Sequence, residues 1–274
     1  MRTILVATDY SESAETALKY VAFIARFTKA KIVLFNNYNF NIHALNGRIS
    51  ASAMDTLVKE NRHRLEKYAE KLSEKYGTPL STCTLTSMTE ESLEELAKKL
   101  NAGMIVMGMK ENADWPHVHS NTSATIISNV CLPVLIVPEG VEIKLPERVL
   151  YACDYHSVPK EDHLTELKEI ATTFGSELQV FHVWKSPALA AAGAELKKAV
   201  LSQLEDSIGT LNHTYRDVDA KDIITGLKEG IREFKADILV MSPHKYSFWS
   251  SLFHKSKTRE MVFKSAIPLL SIPS

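Results

Sequence analysis

Two aspartates stand at equivalent points of the sequence, each directly after a short apolar run. Asp9 follows residues 2–8, and Asp154 follows residues 148–153. A carboxylate at the tip of a strand accepts hydrogen bonds from a ribose hydroxyl or an adenine amino group. The same residue type also caps helices, so Asp9 by itself leaves both roles open. Its recurrence as Asp154 favours a binding site that both segments share.

Small polar residues follow a later apolar run in the first half of the chain. Gly108 ends this run, and a polar loop leads from it to a helix start at Ser120, Asn121 and Thr122. Free backbone amides at a helix N-terminus bind anions, although Ser120 or Thr122 would serve equally well as an N-cap. These residues are candidate ligands of an anionic group.

A basic segment follows the corresponding run in the second half. Ser242 ends that run, and the loop after it contains Lys245, Lys255 and Ser256, with almost no acid to balance the lysines. Positive side chains of this kind hold an anion. The alternative is a solvated basic face whose aromatic residues pack onto the domain or onto a partner.

One cluster has the composition of a metal site. Asp114, His117 and His119 offer the nitrogen and oxygen ligands that zinc prefers, provided that the loop bends suitably. The alternative, which we favour, is a set of polar loop residues, so no metal is expected. The three cysteines form no C-x-x-C pair, which fits a reducing cytoplasm rather than a disulfide framework or a cysteine-zinc site.

The motifs of several enzyme classes are missing from the sequence. No two glycines form G-x-G and none precedes a lysine, which excludes a dinucleotide fingerprint and a Walker A loop. No G-x-S-x-G elbow is present, so a covalent hydrolase has no nucleophile. Because no catalytic base stands beside the candidate ligands, we expect binding rather than turnover.

The chain contains the same pattern twice, in the same order. Residues 2–10 recur as 148–155, residues 102–107 as 236–241, and residues 132–138 as 267–273. Matches that keep their order indicate a duplication. The segment 139–146 between the copies contains a glycine and ends in a proline, which is typical of a linker. We therefore predict two domains, residues 1–138 and 147–274, called the first and second copy below.

Short β-branched runs alternate with helical periodicity in each copy. Strands are predicted near residues 2–8, 31–36, 80–86, 104–108 and 133–137, and near 148–153, 177–183, 213–218, 237–241 and 268–272. Apolar helix faces are predicted within 14–25, 93–100, 164–174 and 196–211. Runs that are apolar on both faces are typical of parallel strands covered by helices on both sides. Each copy is thus predicted to be a doubly wound α/β domain with a parallel sheet, whose ligands bind beyond the carboxyl ends of the strands.

Both halves resemble the universal stress protein family. The likeness rests on a strand that ends in Asp before a Ser-rich helix start, a fourth strand that ends in Val-Met-Gly, and a closing Pro-Val-Leu-x-Val-Pro at residues 133–138. The resemblance implies a Rossmann-like fold of the adenine nucleotide alpha hydrolase type and a role in the stress response. It also implies an adenine nucleotide, ATP or AMP, as the ligand of the candidate site residues.

The phosphate loop of this chain departs from the family pattern, in which glycines wrap the phosphates. In the first copy Glu111 stands at the second glycine position, with a Cβ and a negative charge where a phosphate would approach. In the second copy the loop keeps the family length and ends in Lys255 and Ser256, which makes this copy our choice for an anionic ligand. The resemblance therefore implies a regulatory binding module with degraded nucleotide-binding loops. The alternative is a functional ATP-binding protein or slow ATPase.

The composition limits which classes of partner the protein is expected to bind. The 32 Lys and Arg against 33 Asp and Glu leave a net charge of −1, which provides no global field for nucleic acid or an anionic membrane. The sequence contains no apolar stretch near the roughly 18 residues of a spanning helix and no signal peptide, so a cytoplasmic protein is expected. We expect the closing runs at 133–137 and 268–272 to join the copies as an intramolecular pseudo-dimer. A monomer and a homodimer both fit the sequence, and no protein partner is identified by it.

Overall fold

Strands and helices alternate in both halves of the computed structural model, which describes residues 3–37, 50–85, 89–110, 132–155, 164–242 and 267–273. The strands are β1 (Thr3–Ala7), β2 (Lys31–Asn37), β3 (Leu80–Leu85), β4 (Ala102–Met109), β5 (Val134–Pro138), β6 (Arg148–Ala152), β7 (Glu177–Trp184), β8 (His213–Asp219), β9 (Ile238–Met241) and β10 (Leu269–Ser271). The helices are α1 (Glu12–Thr28), α2 (Ala51–Tyr76), α3 (Glu90–Leu100), α4 (Thr165–Phe174), α5 (Pro187–Ala192), α6 (Ala194–Ile208) and α7 (Ile223–Phe234). Every strand lies where the sequence predicts one.

The strands of the described residues form one sheet in the order β3-β2-β1-β4-β5-β10-β9-β6-β7-β8. Each half contributes neighbouring strands in equivalent order, and the pairs inside each half are parallel. β5 and β10 join the halves as an antiparallel pair, with Leu270 opposite Leu135. The two closing apolar runs therefore pair with each other, so neither leaves an open edge at the seam. The predicted doubly wound α/β architecture is confirmed.

Helices cover both faces of the sheet because successive strand residues bury opposite sides. In β1, Leu5 and Val6 are both 0% exposed and belong to different core clusters. Residues of α1, α2, α4 and α6 pack into the cluster of Val6, whereas residues of α3 and α7 pack into that of Leu5. Burial on both faces explains why the strands read as nearly continuous apolar runs.

The helices differ from the sequence predictions in two respects. Three of them, α2, α5 and α7, were not predicted, although Ser50 caps the start of α2 and a left-handed Gly77 ends it. α6 ends at Ile208, so the predicted face residue Leu211 lies beyond it. Within the described ranges, no helix has both the length and the apolarity needed to cross a bilayer.

Candidate functional site

The turn after β1 holds Asp9 at the carboxyl edge of the sheet in the first copy. Asp9 Oδ1 accepts a hydrogen bond from Ser11 N at 2.9 Å, and Tyr10 N donates to Thr8 Oγ1 at 3.0 Å. Tyr10 takes a left-handed conformation, φ 67°, that non-glycine residues rarely adopt. Ser11 is the N-cap of α1, because its Oγ accepts a hydrogen bond from Ala14 N. The alternative that Asp9 caps this helix is therefore wrong, and the exposed Asp9 instead braces the turn.

Two buried amides lie beside this turn. Asn36 Nδ2, near the end of β2, donates to Thr8 O at 2.6 Å. Asn61 Nδ2, on α2, donates to Asn36 Oδ1 at 3.5 Å. A side-chain amide offers a donor and an acceptor together, which suits recognition of the edge of a nucleobase. Asn36 and Asn61 were not predicted as site residues.

Tyr10 forms an aromatic contact over the same region. Its ring meets the edge of Tyr68 with centroids 5.1 Å apart, and the Arg64 guanidinium lies 4.3 Å from the Tyr10 centroid. Burial raises the pKa of the Tyr10 hydroxyl, and the charge of Arg64 partly opposes this. Among the described residues no hydrogen-bond partner reaches the buried Tyr10 hydroxyl. Buried hydroxyls are normally hydrogen-bonded, so within the described residues this one is an exception.

Gly108 brings β4 close to the start of α1. A Cβ added to Gly108 would lie 2.0 Å from Ser13 O and 2.6 Å from Ala14 N, both backbone atoms. No side chain fits there unless the helix moves. Gly108 therefore has a packing role that is independent of any phosphate.

We call the carboxyl edge of the strands in each copy, where ligands of such sheets bind, the mouth of that copy. In the second copy, aromatic side chains of the copy itself lie at the mouth. His182 Nδ1 donates to Cys153 O at 2.8 Å, since a carbonyl can only accept. The His182 ring stacks on Tyr155 with centroids 4.1 Å apart and an interplanar angle of 15°, and it meets Trp184 at 4.4 Å. These three rings are buried, and so is Asp154 beside them.

Asp217 anchors this aromatic cluster from β8. Its Oδ1 accepts a hydrogen bond from Tyr155 Oη at 2.7 Å, and its Oδ2 accepts from Trp184 Nε1 at 3.0 Å and from Lys197 Nζ at 2.7 Å. Burial on its own would raise the pKa of Asp217, but the hydrogen bonds from Lys197, Trp184 and Tyr155 hold it below its ordinary value. Burial and the bond to Asp217 raise the pKa of Tyr155, which therefore stays a neutral donor.

Comparison with known proteins places this fold in a family. The model of the universal stress protein family matches residues 1–138, half of the chain. The chain belongs to the universal stress protein family. A search of curated proteins finds no match.

Solved structures of other universal stress proteins share the fold over the whole chain. The crystal structure of one from Archaeoglobus fulgidus DSM 4304 is 17% identical, with a TM-score of 0.70 over 99% of this chain and 96% of that one. A protein from Pseudomonas aeruginosa UCBPP-PA14 assigned to the family is also 17% identical, with a TM-score of 0.60 over 100% of this chain and 93% of that one. At such identities the likeness establishes the fold and not the ligand.

The predicted site residues of this universal stress protein fall into two groups. Asp9 and Gly108 lie at the carboxyl ends of β1 and β4, and Asp154 and Ser242 occupy the equivalent places after β6 and β9. Ser242 is buried and its Oγ donates to Ile272 O at 3.2 Å. The remaining predicted residues lie outside the described ranges: Ser120, Asn121, Thr122, Lys245, Lys255 and Ser256.

The structure does not test the predicted metal cluster. Asp114, His117 and His119 also lie outside the described residues. Within the described part of this universal stress protein, no group of His, Cys, Asp or Glu is arranged to hold a metal ion.

Sequence reasoning missed the polar residues that β2, β8 and α2 bring to the two mouths. Asn36 follows Phe35, whose strand end was already expected to face a ligand, so its position was a usable signal. Asn61 was not recognisable, because α2 itself was not predicted. Asp217 lies in the largely polar sequence of β8, residues 213–219, and nothing in that pattern distinguishes a buried acid from an exposed one.

Proposed function

We propose that the first copy binds an adenine nucleotide, AMP or ATP, and that the protein is a cytoplasmic regulatory module of the stress response that binds this ligand without turnover. The observation that supports the proposal is the polar mouth of the first copy. There the exposed Asp9 directly follows Thr8, whose carbonyl accepts from Asn36 at the end of β2, and Asn61 of α2 donates to Asn36 in turn. In a doubly wound sheet, ligands bind at this edge.

The groups of the first copy suit the base and the ribose better than the phosphates. A carboxylate accepts from ribose hydroxyls, and an amide pairs with a base edge. The phosphate loop, in contrast, has Glu111 at a motif glycine position, and its charge opposes a phosphate. Ser120, Asn121 and Thr122 stay candidate phosphate ligands. On this proposal the loop is degraded, so AMP and ATP bind with similar and modest affinity.

For the second copy we propose an anionic ligand that has no adenine base. Tyr155, His182 and Trp184 occupy the mouth where a base would stack in an open copy. Lys245, Lys255 and Ser256 stay the candidate ligands of the anion, with Asp154 and Ser242 as the flanking strand-end residues. The two copies of a duplicated chain would thus divide their roles, one for a nucleotide and the other for a simpler anion.

The experiment is calorimetric titration of the purified full chain with AMP and with ATP, preceded by native mass spectrometry to detect retained nucleotide. Asp9→Ala is expected to weaken binding of both nucleotides by about tenfold or more, which is the loss of about 1.4 kcal/mol from a charge-assisted hydrogen bond. The matched variant Asp154→Ala, at the equivalent place of the second copy, is expected to leave nucleotide affinity unchanged.

Other results would redirect the proposal in definite ways. Loss of binding in Asp154→Ala or Lys255→Ala, with Asp9→Ala unaffected, would assign the nucleotide to the second copy. No binding at millimolar AMP or ATP would leave a scaffold that acts through protein partners. Release of phosphate from ATP, abolished by Asp9→Ala, would favour the slow ATPase.

A further inference from the structure

One face of α2 meets the residues around the turn after β1 in the first copy. Asn61, Arg64 and Tyr68 stand three and four residues apart, which places them on the same side of a helix. Asn61 donates a hydrogen bond to Asn36 at the end of β2. Tyr68 and Arg64 both contact the ring of Tyr10, which lies in the turn itself. This face of α2 therefore borders the mouth of the first copy.

Arg64 brings a positive charge to this mouth. Its guanidinium lies 4.3 Å from the centroid of the Tyr10 ring, and a neutral ring does not cancel the charge. Within the described ranges no carboxylate pairs with this guanidinium and no hydrogen bond uses its N–H groups. Arg62, two residues earlier on α2, instead pairs with Glu66 at 3.1 Å between Nε and Oε1. The five donors of Arg64 are therefore available to an anion at the mouth.

Asp9 and Arg64 stand around the same two aromatic rings. Asp9 directly precedes Tyr10 in the chain. Burial is the main reason that the pKa of the Tyr68 hydroxyl is raised, and the charge of Asp9 adds to this increase. The carboxylate is thus close to Tyr68, whose ring centroid is 5.1 Å from that of Tyr10. An acceptor for ribose hydroxyls and a donor for phosphate oxygens therefore flank one small region.

A guanidinium at this place suits a phosphate. It presents its N–H donors in a planar fork, and two of them bind two phosphate oxygens side by side. Contact with the face of a ring restrains the guanidinium without using these donors. The phosphate loop of this copy, in contrast, has Glu111 at a glycine position, where its negative charge opposes a phosphate. The α2 side of the mouth is therefore the more favourable side for the anionic part of a nucleotide.

We propose that Arg64 is the phosphate ligand of the first copy and that it selects nucleotides over nucleosides. The inference rests on the proposed binding of an adenine nucleotide at this mouth. With the ribose at Asp9, the phosphate attached directly to the ribose is the one that Arg64 contacts. AMP and ATP share this phosphate and adenosine lacks it, so AMP and ATP bind alike and adenosine binds more weakly.

The test is calorimetric titration of the full chain with adenosine and with AMP. The unmodified chain should bind AMP about tenfold more tightly than adenosine, because only AMP receives the charge-assisted hydrogen bonds. Arg64→Gln should reduce the affinity for AMP to that for adenosine and leave adenosine unchanged. Arg64→Lys keeps the charge without the fork and should retain part of the difference.

Arg62→Gln is the matched control on the same helix. It also removes one positive charge from α2, but from a side chain that is paired with Glu66 and 73% exposed. The affinities for AMP and for adenosine should both stay as they are in the unmodified chain. A change in AMP affinity equal to that of Arg64→Gln would reduce the effect to the net charge of α2 and overturn the proposal.

Ionic strength provides a second readout. The preference for AMP over adenosine should shrink as potassium chloride is raised from about 0.01 M to about 1 M, because the Debye length falls from about 30 Å to about 3 Å. The affinity for adenosine should not follow the salt concentration. In Arg64→Gln the ratio of the two affinities should be the same at both salt concentrations.

Three further results would overturn the proposal, and they separate it from the proposed function. Equal losses of AMP and adenosine binding in Arg64→Gln would show that Arg64 only braces Tyr10 and its turn. A preference for AMP that Arg64→Gln leaves intact would place the phosphate elsewhere in the mouth. In both cases the nucleotide site itself stands. Failure of the unmodified chain to bind either AMP or adenosine would overturn the proposed function together with this inference.

Discussion

The residue that follows the second-strand phenylalanine makes the same hydrogen bond in both copies. In the first copy Asn36 Nδ2 donates to Thr8 O, and in the second His182 Nδ1 donates to Cys153 O. Thr8 and Cys153 are equivalent, because each directly precedes the aspartate at its strand end. The bond fixes the first strand against the second, and it does not require one particular side chain.

Asn36 and His182 differ in what the rest of the side chain contacts, beyond the nitrogen that makes this bond. Asn36 Oδ1 accepts a hydrogen bond from Asn61 Nδ2, which keeps the first mouth polar. The ring of His182 instead stacks on Tyr155 and meets Trp184 edge to face, so it is buried among aromatic side chains of its own copy. One position therefore carries a polar amide in the first copy and a stacked aromatic ring in the second. A conserved backbone bond in a duplicated fold is thus no evidence of a conserved site.

The largest expected difference between the copies is at the third strand. Asp217 pairs with His182 in the register of β7 and β8, and Thr84 pairs with Asn36 in the register of β2 and β3. Asp217→Ala removes the acceptor of Tyr155, Trp184 and Lys197, which should cost about 3 kcal/mol in the free energy of unfolding. The measurement is urea unfolding followed by circular dichroism.

Thr84→Ala is the matched control in the first copy. Among the described residues no hydrogen-bond partner reaches Thr84 Oγ1. Its removal should therefore change the free energy of unfolding by less than about 1 kcal/mol. Equal losses in the two variants would contradict the contrast between a closed mouth and an open one.

A second comparison concerns Gly108, at the carboxyl end of β4, and its equivalent Ser242, directly after β9. Gly108→Ala would bring a Cβ to 2.0 Å from Ser13 O, so α1 must shift. Overpacking against backbone should cost about 2–3 kcal/mol whether or not nucleotide is present. Thermal unfolding of the ligand-free chain measures this directly.

The equivalent change in the second copy is Ser242→Ala. It removes the hydrogen bond from Ser242 Oγ to Ile272 O. A loss of about 1 kcal/mol is expected, because one buried neutral bond disappears without a clash. A Gly108→Ala variant of unchanged stability but weakened nucleotide binding would show that the glycine serves the ligand and not the packing.

The sequence predicted the fold more completely than it predicted which residues meet at the mouth of each copy. Strand positions follow from runs such as 104–107, which are apolar on both faces because both faces are buried. The repeat then predicted two equivalent units, and the closing runs predicted their seam. These signals are local or periodic, so a single sequence contains them.

The mouths depend on residues that are distant in sequence. Asn36 and Asn61 are 25 positions apart, and Tyr155 and Asp217 are 62 apart. No local pattern joins such pairs, since contact requires that β2 meet α2 or that β7 bring β8 alongside. The aspartates Asp9 and Asp154 were found because the repeat aligned them. The alignment could not show that Asp9 is exposed and Asp154 is buried. The domain boundary at 139–146 stays a prediction.

The smallest expected difference between the copies is in how an acidic side chain of each makes the stability of the protein depend on pH. Hydrogen bonds from Lys197, Trp184 and Tyr155 outweigh burial and hold the pKa of Asp217 low, and bonds from Lys75 and Tyr76 lower the pKa of Glu15 in the first copy. A carboxylate with a depressed folded-state pKa stabilises the protein above its unfolded pKa of about 4. The stabilisation is lost as the pH falls through the lower folded-state value.

Asp217→Asn and Glu15→Gln should therefore both be destabilised at pH 7 and approach the unmodified chain as the pH falls below about 4. The Asp217 side chain is 17% exposed and Glu15 is 29% exposed beside a 56% exposed Lys75, so solvent screens the Glu15 pair more strongly. The urea midpoint measured from pH 7 to pH 3 should shift further for Asp217→Asn. A larger shift for Glu15→Gln would mean that the bridge between α1 and α2 in the first copy, and not the closed mouth of the second, carries the acid sensitivity.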